Sequence, residues 1–354
     1  MIVFETIFGI PAQVSAQAPA RVNLMGEHTD YNNGFVLPTV LPRETTVQIA
    51  VDTSGRGKFE AFSANYQQRA ERSFDTRSQD HWSDYLLACL QQLKKRSIDL
   101  PSLKIFVQST IPIGAGVASS AALEVAFLKA VRDLLKLNLT DLEIALIAQK
   151  AESEGVGMPC GVMDQMVSSL GQPNYGFFLD TQDLSFEHIP LPTYYQFAVI
   201  HSGKTRALVE SGYKKRRKEC EAAAAFLHVS SLRDVYLPDL ERAEDMPDTL
   251  RKRAAHVVTE NQRVLNSVAA LKNNRIADFG KLMNASHLSQ KNLFEVTIKE
   301  TDSLWEAAIE YGAIGARQTG GGFGGAIVAL VPTHAVQSWW NFVSKACPEA
   351  SLIC

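Results

Sequence analysis

The 354-residue sequence lacks any excess of positive charge and any long hydrophobic run, and each absence excludes a class of protein. Its 35 Lys and Arg residues stand against 38 Asp and Glu residues, which leaves a net charge of -3 at pH 7. That balance offers nothing to attract nucleic acid or an anionic membrane surface. No uncharged apolar run reaches the length of a membrane-spanning helix. We therefore expect neither a nucleic-acid partner nor a membrane.

The sequence is also poor in cysteine. Its cysteines are scattered and include no C-x-x-C pair, which argues against a disulfide framework and against a zinc site. They are Cys89, Cys160, Cys220, Cys347 and Cys354. The first 18 residues end in the A-x-A pattern of a signal peptide, but they lack a basic start and carry Glu5 within the apolar part. We therefore expect a cytoplasmic protein.

Extended and helical patterns both occur along the chain, and together they predict an α+β or α/β protein. Residues rich in β-branched and aromatic side chains predict strands at 45–51, 103–109, 195–200 and 326–331. Alanine-rich and i, i+4 apolar patterns predict helices at 119–136, 207–228 and 248–272. Thr140 and Glu143 form a capping box, which predicts a further helix through about Glu152.

The length favours two domains, because a single hydrophobic core seldom grows so large. A shift in composition at residues 181–193, which include two prolines, marks the expected boundary. We predict one domain at residues 1–180 and another at residues 181–354. Clefts between domains commonly hold ligands.

Residues 111–126, IPIGAGVASSAALEVA, have the composition and the context of a phosphate-binding loop. A predicted strand precedes them and an Ala-rich helix follows, so that free N–H groups at the helix start would face an anion. An ordinary turn with Ser119 as helix cap explains the segment equally well when it is taken alone. The residues expected around the phosphates are Gly114, Ala115, Gly116, Val117, Ala118, Ser119 and Ser120.

Two other glycine motifs do not fit their context. GGGFGG at 320–325 is followed by a predicted strand, whereas a dinucleotide-binding motif opens a helix. HSGKT at 201–205 lacks the first glycine of a Walker A loop, so that Lys204 is interpreted as a surface residue. The run KKRRK at 214–218 is interpreted as a solvated helix face. His256 and Glu260 lack a third metal ligand and are interpreted as structural.

Three separated motifs give the chain a specific resemblance. RVNLMGEHTDYNNG at 21–34, the phosphate loop and RQTGGGFGGAIVAL at 317–330 follow the order shared by galacto-, homoserine, mevalonate and phosphomevalonate kinases, the GHMP kinases. Four segments, the first of which overlaps the motif at 21–34, resemble the galactokinases in particular: GEHTDYNNGFVLP at 26–38, GMPCGVMDQ at 157–165, SGYKKRRKECE at 211–221 and HVVTENQRV at 256–264. The resemblance implies a two-domain α+β fold with the active site in the cleft between the domains. It also implies an enzyme that uses ATP and Mg²⁺ to phosphorylate the C1 hydroxyl of galactose, and we expect that enzyme to be a monomer.

The resemblance assigns the chemistry to two residues. Asp164 matches the base that accepts the proton of the sugar hydroxyl. Arg21 matches the arginine beside that base, where its charge would keep the carboxylate ionised and stabilise the phosphoryl group. Without the resemblance, Asp164 would be interpreted as a helix cap and Arg21 as a surface ion-pair partner.

Metal and sugar ligands follow from the same resemblance. Ser120 and Glu152 match the Mg²⁺ positions, although the first could cap a helix and the second could end one. A pyranose presents hydroxyls at fixed angles and requires matching donors and acceptors beside an apolar wall. The residues that match this role are Glu27, His28, Asp30, Gly161 and Tyr213. A solvated polar turn is the alternative interpretation of residues 21–34.

The sequence departs from the galactokinase pattern at three places. Ala118 replaces one hydroxyl of a three-serine run, His201-Ser202 replaces an asparagine pair, and KNLFEVT at 291–297 lacks an acidic pair before its aromatic residue. Kinases for N-acetylgalactosamine or galacturonate are therefore alternatives, although Glu27 would repel the carboxylate of galacturonate. A non-catalytic sugar sensor is another alternative, which the complete SSAA at 119–122 disfavours.

Overall fold

The computed structural model describes residues 2–53, 55, 57–112, 114–204 and 209–354. The strands are β1 (Val14–Asn23), β2 (Phe35–Val36), β3 (Pro38–Val51), β4 (Lys58–Ser63), β5 (Gln68–Ser73), β6 (Leu103–Ser109), β7 (Tyr175–Asp180), β8 (Phe186–Pro190), β9 (Tyr195–His201), β10 (Gly315–Thr319), β11 (Ala326–Pro332) and β12 (Ser351–Leu352). The helices are α1 (Phe4–Phe8), α2 (Asp84–Lys95), α3 (Ser119–Leu135), α4 (Asp141–Lys150), α5 (Met163–Leu170), α6 (Val209–Phe226), α7 (Leu237–Arg242), α8 (Asp248–Lys272), α9 (Ile276–Ser289), α10 (Lys299–Glu310) and α11 (Val336–Ala346).

These elements confirm the α+β class and most of the segments that the sequence predicts. The four predicted strands lie within β3, β6, β9 and β11, and the predicted helices at 119–136 and 248–272 are α3 and α8. The predicted helix at 207–228 is α6, although residues 207 and 208 lie outside the described part of the chain. The helix expected to run through Glu152 changes character at Lys150, where a π-helical turn (Ala151–Val156) takes over.

The capping box at the start of α4 forms as predicted. The Thr140 hydroxyl accepts a hydrogen bond from the Glu143 backbone N–H at 3.2 Å, and the Glu143 carboxylate accepts one from the Thr140 N–H at 2.9 Å. Two N–H groups that the helix cannot satisfy are thereby paired. This fixes the start of the helix that leads directly into Glu152.

Contacts between Cα atoms divide the chain into two compact units that are interleaved in sequence. The first unit comprises residues 1–21, 41–113 and 118–170, and the second comprises residues 22–40, 114–117 and 171–354. The boundary that the sequence indicates between residues 180 and 181 stays a prediction.

In the first unit, helices cover a sheet built from β3, β6, β4 and β5. β6 pairs antiparallel with β3 and parallel with β4, and β4 pairs antiparallel with β5. Apolar side chains from the strands and from α2, α3 and α4 are buried together, which makes the core of this unit. Its members include Val47, Ile49, Phe59, Leu86, Leu90, Phe127 and Ile147.

In the second unit, β10, β11, β9 and β12 form an antiparallel sheet in that order. Residues Ala326–Val331 of β11 are all buried, as expected of a central strand with covered faces. The 25-residue helix α8 lies against α6 and α9 and supplies several buried polar side chains. β2 and β8 pair antiparallel with β7, and β7 also pairs antiparallel with the start of β3, where Thr39 lies opposite Gly176.

Two further expectations from composition can be compared with the structure. The five cysteines form no disulfide. Among the described residues, no helix combines the length and the apolar character that crossing a membrane requires.

Candidate active site

In the first unit, Arg21 near the end of β1 forms a hydrogen-bonded ion pair with Asp164 in the first turn of α5. Arg21 Nε donates to Asp164 Oδ1 at 2.7 Å and Arg21 Nη2 donates to Oδ2 at 2.6 Å. The Arg21 side chain is 6% exposed, whereas that of Asp164 is 28% exposed. A carboxylate has about four lone-pair positions. The fork therefore fixes the orientation of Asp164 and still leaves its oxygens room to accept a proton.

Ser120 and Glu152, the predicted metal ligands, also lie together in the first unit. The Ser120 hydroxyl donates a hydrogen bond to the Glu152 carboxylate, and Gln165 Nε2 donates to Glu152 Oε2 at 2.6 Å. Burial raises the pKa of Glu152 to about 7, while the hydrogen bond from Ser120 opposes that shift. The π-helical turn places this carboxylate beside the first turn of α3. The pair thus offers two hard oxygen atoms next to each other.

A buried acidic cluster lies behind Glu152 and was not predicted from the sequence. Glu124 and Gln165 are both fully buried, and the Gln165 amide donates weakly to Glu124 Oε2 at 3.5 Å while it holds Glu152. Burial, reinforced by the charge of Glu152, raises the pKa of Glu124 well above its ordinary value. The signal was present in the sequence, because a glutamate within the apolar face of an Ala-rich helix must find a buried partner.

The phosphate loop has the backbone shape that an anion site requires. Gly114 and Gly116 adopt φ values of 73° and 77°, and Ala118 adopts the left-handed conformation at φ 60°. Helix α3 then begins at Ser119, so that Ala118 is the cap residue and no side chain caps the helix. The interpretation of Ser119 as a capping residue is therefore wrong. The first N–H groups of α3 have no intrahelical partner, as at the start of any helix, and can face an anion.

In the second unit, residues 22–29 are buried, which contradicts the interpretation of this stretch as a solvated turn. Glu260 on α8 holds its backbone, because Oε1 accepts from the N–H groups of Gly26 at 3.0 Å and Glu27 at 3.3 Å. His256, one turn earlier, lies 3.1 Å from the Glu27 carbonyl through Nε2 and 2.8 Å from the Ser289 hydroxyl through Nδ1. His256 and Glu260 are thus structural, as the sequence indicated.

The Glu27 carboxylate points into this buried region. Its Oε1 accepts from the Gly320 N–H at 2.8 Å and lies 3.5 Å from Arg317 Nη1. Gly320 begins the loop GGGFGG, which joins the antiparallel strands β10 and β11 and opens no helix. The rejection of this motif as a dinucleotide site is therefore supported, and the loop instead anchors a predicted sugar-binding residue.

His28 lies at the centre of an aromatic cluster. Its ring centroid is 4.7 Å from that of Phe294, 5.6 Å from that of Tyr213 and 5.8 Å from that of Tyr31. Nδ1 lies 2.8 Å from the Tyr31 hydroxyl, whereas Nε2 is buried without a hydrogen-bond partner among the described residues. Burial lowers the pKa of His28 well below its ordinary value, so the ring is neutral. A buried, unused ring nitrogen is well suited to bind a ligand hydroxyl.

The structure thus gathers the predicted residues into two groups, each within its own unit. Arg21, Asp164, Ser120 and Glu152 are linked in the first unit, and Gly161 lies two residues before α5 in the same unit. Glu27, His28 and Tyr213 belong to the second unit, where Asp30 starts a short 3₁₀ turn that ends at Asn32.

The basic run at 214–218 is not a uniformly solvated face, and that interpretation needs correction. Lys214, Lys215 and Lys218 are exposed, but Arg216 is buried, because its guanidinium donates to the carbonyls of Phe294 and Glu295. Lys204, by contrast, is the surface residue expected, since its side chain is 44% exposed and pairs with Glu349. Thr205, the last residue of HSGKT, lies outside the described part of the chain.

The fold and these two groups of side chains define the class of protein. Residues 84–172 match the family model of the GHMP kinases N terminal domain, and residues 267–349 match that of the GHMP kinases C terminal. Residues 3–51 match the galactokinase galactose-binding signature. The structure of mevalonate kinase from L. major in complex with R-mevalonate shares the fold, with a TM-score of 0.69, 20% identity, and coverage of 96% of this chain and 95% of that one.

Closer relatives narrow the class. The galactokinase of Thermosipho africanus is 41% identical over 327 residues, which cover 92% of this chain and 91% of the relative. The galactokinase of Thermotoga maritima is 40% identical over 323 residues, which cover 90% and 89%. The crystal structure of Lactococcus lactis galactokinase complexed with galactose superimposes with a TM-score of 0.93 at 31% identity and covers 99% of this chain and 95% of that one. The chain belongs to the galactokinase family of the GHMP kinases.

Proposed function

We propose that the protein transfers the γ-phosphoryl group of ATP to the C1 hydroxyl of galactose and forms galactose 1-phosphate and ADP. Family membership supports the reaction, and one observation of the site carries it: the partly exposed Asp164 carboxylate, held at both oxygens by Arg21. A carboxylate in that state can accept a proton from a sugar hydroxyl without first being reoriented.

The bond changes follow from these two residues. As the sugar oxygen forms its bond to the γ-phosphorus, its proton passes to Asp164 and the bond between that phosphorus and the bridging oxygen of ADP breaks. Arg21 keeps the carboxylate in place and contributes positive charge near the transferring group. Because phosphoryl transfer depends mainly on positioning and charge stabilisation, a fixed carboxylate and a fixed cation are the parts that it requires.

The nucleotide would be held by the loop 114–120, whose backbone N–H groups and helix start suit a polyphosphate. Ser120 and Glu152 fit Mg²⁺, since an adjacent hydroxyl and carboxylate are the hard oxygen donors that this ion prefers. Mg²⁺ usually keeps several waters, so two protein oxygens beside the phosphates are enough to hold it. Bound Mg²⁺ would neutralise charge on the phosphates during transfer.

Ser120→Ala tests the metal assignment. We expect the Mg²⁺ concentration for half-maximal activity to rise about tenfold, because one oxygen ligand is lost, while galactose affinity stays unchanged. Titration calorimetry of Mg²⁺-ADP and of galactose separates the two effects. Ser344→Ala, on the surface helix α11, is the control. Unchanged Mg²⁺-ADP affinity in Ser120→Ala would remove Ser120 from the metal site.

The sugar would be recognised by Glu27, His28, Asp30 and Tyr213, and the resemblance to galactokinases assigns the backbone of Gly161 to the same role. His28 supports this assignment best, because its Nε2 is buried without a partner and its ring is neutral. Its aromatic neighbours provide the apolar wall that a pyranose ring requires.

A coupled ADP-release assay tests the function. The purified protein with Mg²⁺-ATP should turn over galactose, and galacturonate should fail because its carboxylate would meet that of Glu27. Galactosamine, N-acetylgalactosamine and glucose complete the panel. Preference for N-acetylgalactosamine would reassign the substrate, and galactose binding without ADP release would indicate a sensor. The monomeric state and the cytoplasmic location stay predictions, of which light scattering checks the first.

A further inference from the structure

A single turn of backbone forms part of the wall behind His28. The π-helical turn Gln290–Phe294 follows α9 and ends at Glu295, which adopts the left-handed conformation at φ 55° and ψ 50°. Non-glycine residues adopt this conformation at a cost, and they keep it where surrounding contacts enforce it. The carbonyl groups at the end of such a turn also need donors from elsewhere.

Two arginines from different helices supply those donors. Arg253 Nη1 on α8 donates to the Leu293 carbonyl at 2.5 Å. Arg216 on α6 donates through Nε to the Phe294 carbonyl at 2.6 Å and through Nη2 to the Glu295 carbonyl at 2.9 Å. Three consecutive carbonyls are therefore fixed by two planar guanidinium groups, whose fork geometry a lysine cannot reproduce.

The two cations are buried, and shared carboxylates compensate their charge. Glu219 Oε2 accepts from Arg216 Nη1 at 3.0 Å and from Arg253 Nε at 2.7 Å. Glu295 Oε2 accepts from Arg253 Nη2 at 2.6 Å. The side chains of Arg216 and Arg253 are 8% and 3% exposed. Such a network holds the turn in one arrangement, because any displacement would leave a buried charge without its partner.

The residue that this network fixes is Phe294. Its ring is fully buried, lies 4.7 Å from the His28 ring and lies 4.4 Å from the His256 ring. A shift of the Phe294 backbone would therefore move the surface against which His28 packs. None of these hydrogen bonds reaches His28, so they act on its position through the turn. The Arg216 charge also lowers the pKa of His28 directly, and a lysine at position 216 would keep that charge.

We propose that Arg216 and Arg253 are positioning residues of the sugar site, which set its affinity for galactose by fixing the turn that carries Phe294 against His28. The inference rests on the proposed function, since it requires His28 to bind the sugar. It assigns a role to one member of a basic run whose three lysines are exposed.

Arg216→Lys and Arg253→Lys test the proposal, because each keeps the charge and removes the fork. We expect the calorimetric Kd and the KM for galactose to rise about tenfold, which is the loss of roughly one charged hydrogen bond. The KM for ATP and kcat should stay within about twofold of wild type. Lys218→Gln, an exposed member of the same run, should match wild type throughout.

A double-mutant cycle with Phe294→Leu separates positioning from general destabilisation. Phe294→Leu removes the ring and keeps the carbonyls, so it should raise the galactose Kd by itself, and Arg216→Lys should then add little. A lower melting temperature with an unchanged galactose Kd would overturn the proposal. The proposal would also be overturned if the increases in galactose Kd from Arg216→Lys and Phe294→Leu multiplied in the double mutant. An equal increase in galactose Kd in Lys218→Gln would overturn it too.

The proposed function and this inference fail in different ways. If the wild-type protein neither binds nor phosphorylates galactose, both the proposed function and the inference are wrong. If the wild-type protein does both and the two arginine variants match it in galactose Kd, only the inference fails.

Discussion

The two units each contain an arginine beside a carboxylate that we assign to the site, but the two pairs are built differently. Arg21 and Asp164 form a two-pronged contact at 2.6 and 2.7 Å, and the Asp164 side chain remains 28% exposed. Arg317 and Glu27 lie 3.5 Å apart, and their side chains are 0% and 3% exposed. The first carboxylate is oriented and accessible, whereas the second is enclosed.

The enclosed pair belongs to a larger buried network. Arg317 also lies 3.5 Å from Glu260, which pairs with Arg263 at 2.6 Å and accepts from the Ser286 hydroxyl at 2.6 Å. Burial by itself would raise the pKa of Glu260, but the charges of Arg263 and Arg317 outweigh it and lower that pKa strongly. The comparison teaches that a proton acceptor needs an accessible lone pair, whereas Glu260, which holds the backbone of Gly26 and Glu27, works while fully enclosed.

Asp164→Asn removes the carboxylate of the accessible pair and should have the largest effect of the variants in this comparison. The amide keeps the size of the side chain but loses its basicity, so we expect turnover to fall by roughly 10²–10⁴ while galactose still binds. Single-turnover phosphorylation by quench flow and galactose calorimetry measure the two quantities.

The control for Asp164→Asn is Asp133→Asn, since Asp133 also accepts from an arginine in the same unit, at the surface. It should turn over at the wild-type rate. If Asp164→Asn loses less than about threefold in rate, Asp164 is not an important general base, because such catalysis contributes far more.

Glu260→Gln removes a charge from the enclosed network and should mainly reduce the stability of the protein. Removing one partner of a buried ion pair leaves charge uncompensated, so we expect the free energy of unfolding to fall by about 3 kcal/mol. Denaturant unfolding measures it. Glu221→Gln removes the exposed partner of Arg217 on α6 and should cost less than about 0.5 kcal/mol. Similar losses in the two variants would show that the Glu260 network contributes no more than a surface pair.

The sequence predicted the accessible pair better than the enclosed network. Arg21 and Asp164 stand 143 residues apart, and their resemblance to family motifs was enough to associate them. The strands and helices also followed from local patterns, because period and capping depend on neighbouring residues alone. The role of Glu260 in holding the backbone of Gly26 and Glu27 could not be predicted, since it depends on a contact across more than 230 residues.

Arg216 shows the same limit within a single run of residues. Composition marks 214–218 as basic and therefore solvated, but the position of the carbonyls 78 residues later decides which side chain is buried. Glu124 and Gln165 show the same limit. An acid on an apolar helix face is expected to have a buried partner, but the sequence does not indicate which residue that partner is. Tertiary contacts of polar groups carry no local pattern.

Glu27→Gln sharpens the comparison at the enclosed carboxylate. The glutamine oxygen can still accept from the Gly320 N–H, but an amide NH2 then replaces the other oxygen and cannot accept from the C6 hydroxyl that we expect that oxygen to bind. The ratio of kcat/KM for galactose to that for 6-deoxygalactose should fall about tenfold. Glu241→Gln, at an exposed position, should keep the wild-type ratio. An unchanged ratio in Glu27→Gln would mean that Glu27 does not recognise the C6 hydroxyl.

His256→Gln probes the enclosed network through pH and should have the smallest effect. Burial lowers the pKa of His256 from 6.5 to about 4, against the opposing charge of Glu260 and with support from Arg263 and Arg317. Between pH 4 and pH 6.5, His256 is mostly protonated in the unfolded chain and mostly neutral in the folded chain. Stability should therefore fall as the pH drops from 6.5 towards 4, with a slope of roughly 1.4 kcal/mol per pH unit from this residue.

The variant removes that slope, because glutamine does not titrate and can still donate to the Glu27 carbonyl. Denaturant unfolding at pH 7 and pH 5.5 should show the wild type losing about 1 kcal/mol more than His256→Gln. His28 is present in both proteins and its pKa is lowered first of all by burial, so most of its contribution cancels in the difference. His334→Gln, at an exposed position, should lose as much stability as the wild type. Equal losses in wild type and His256→Gln would mean that the His256 ring accepts its proton in the folded protein as readily as in the unfolded chain, and the enclosure of this network would then be weaker than its geometry indicates.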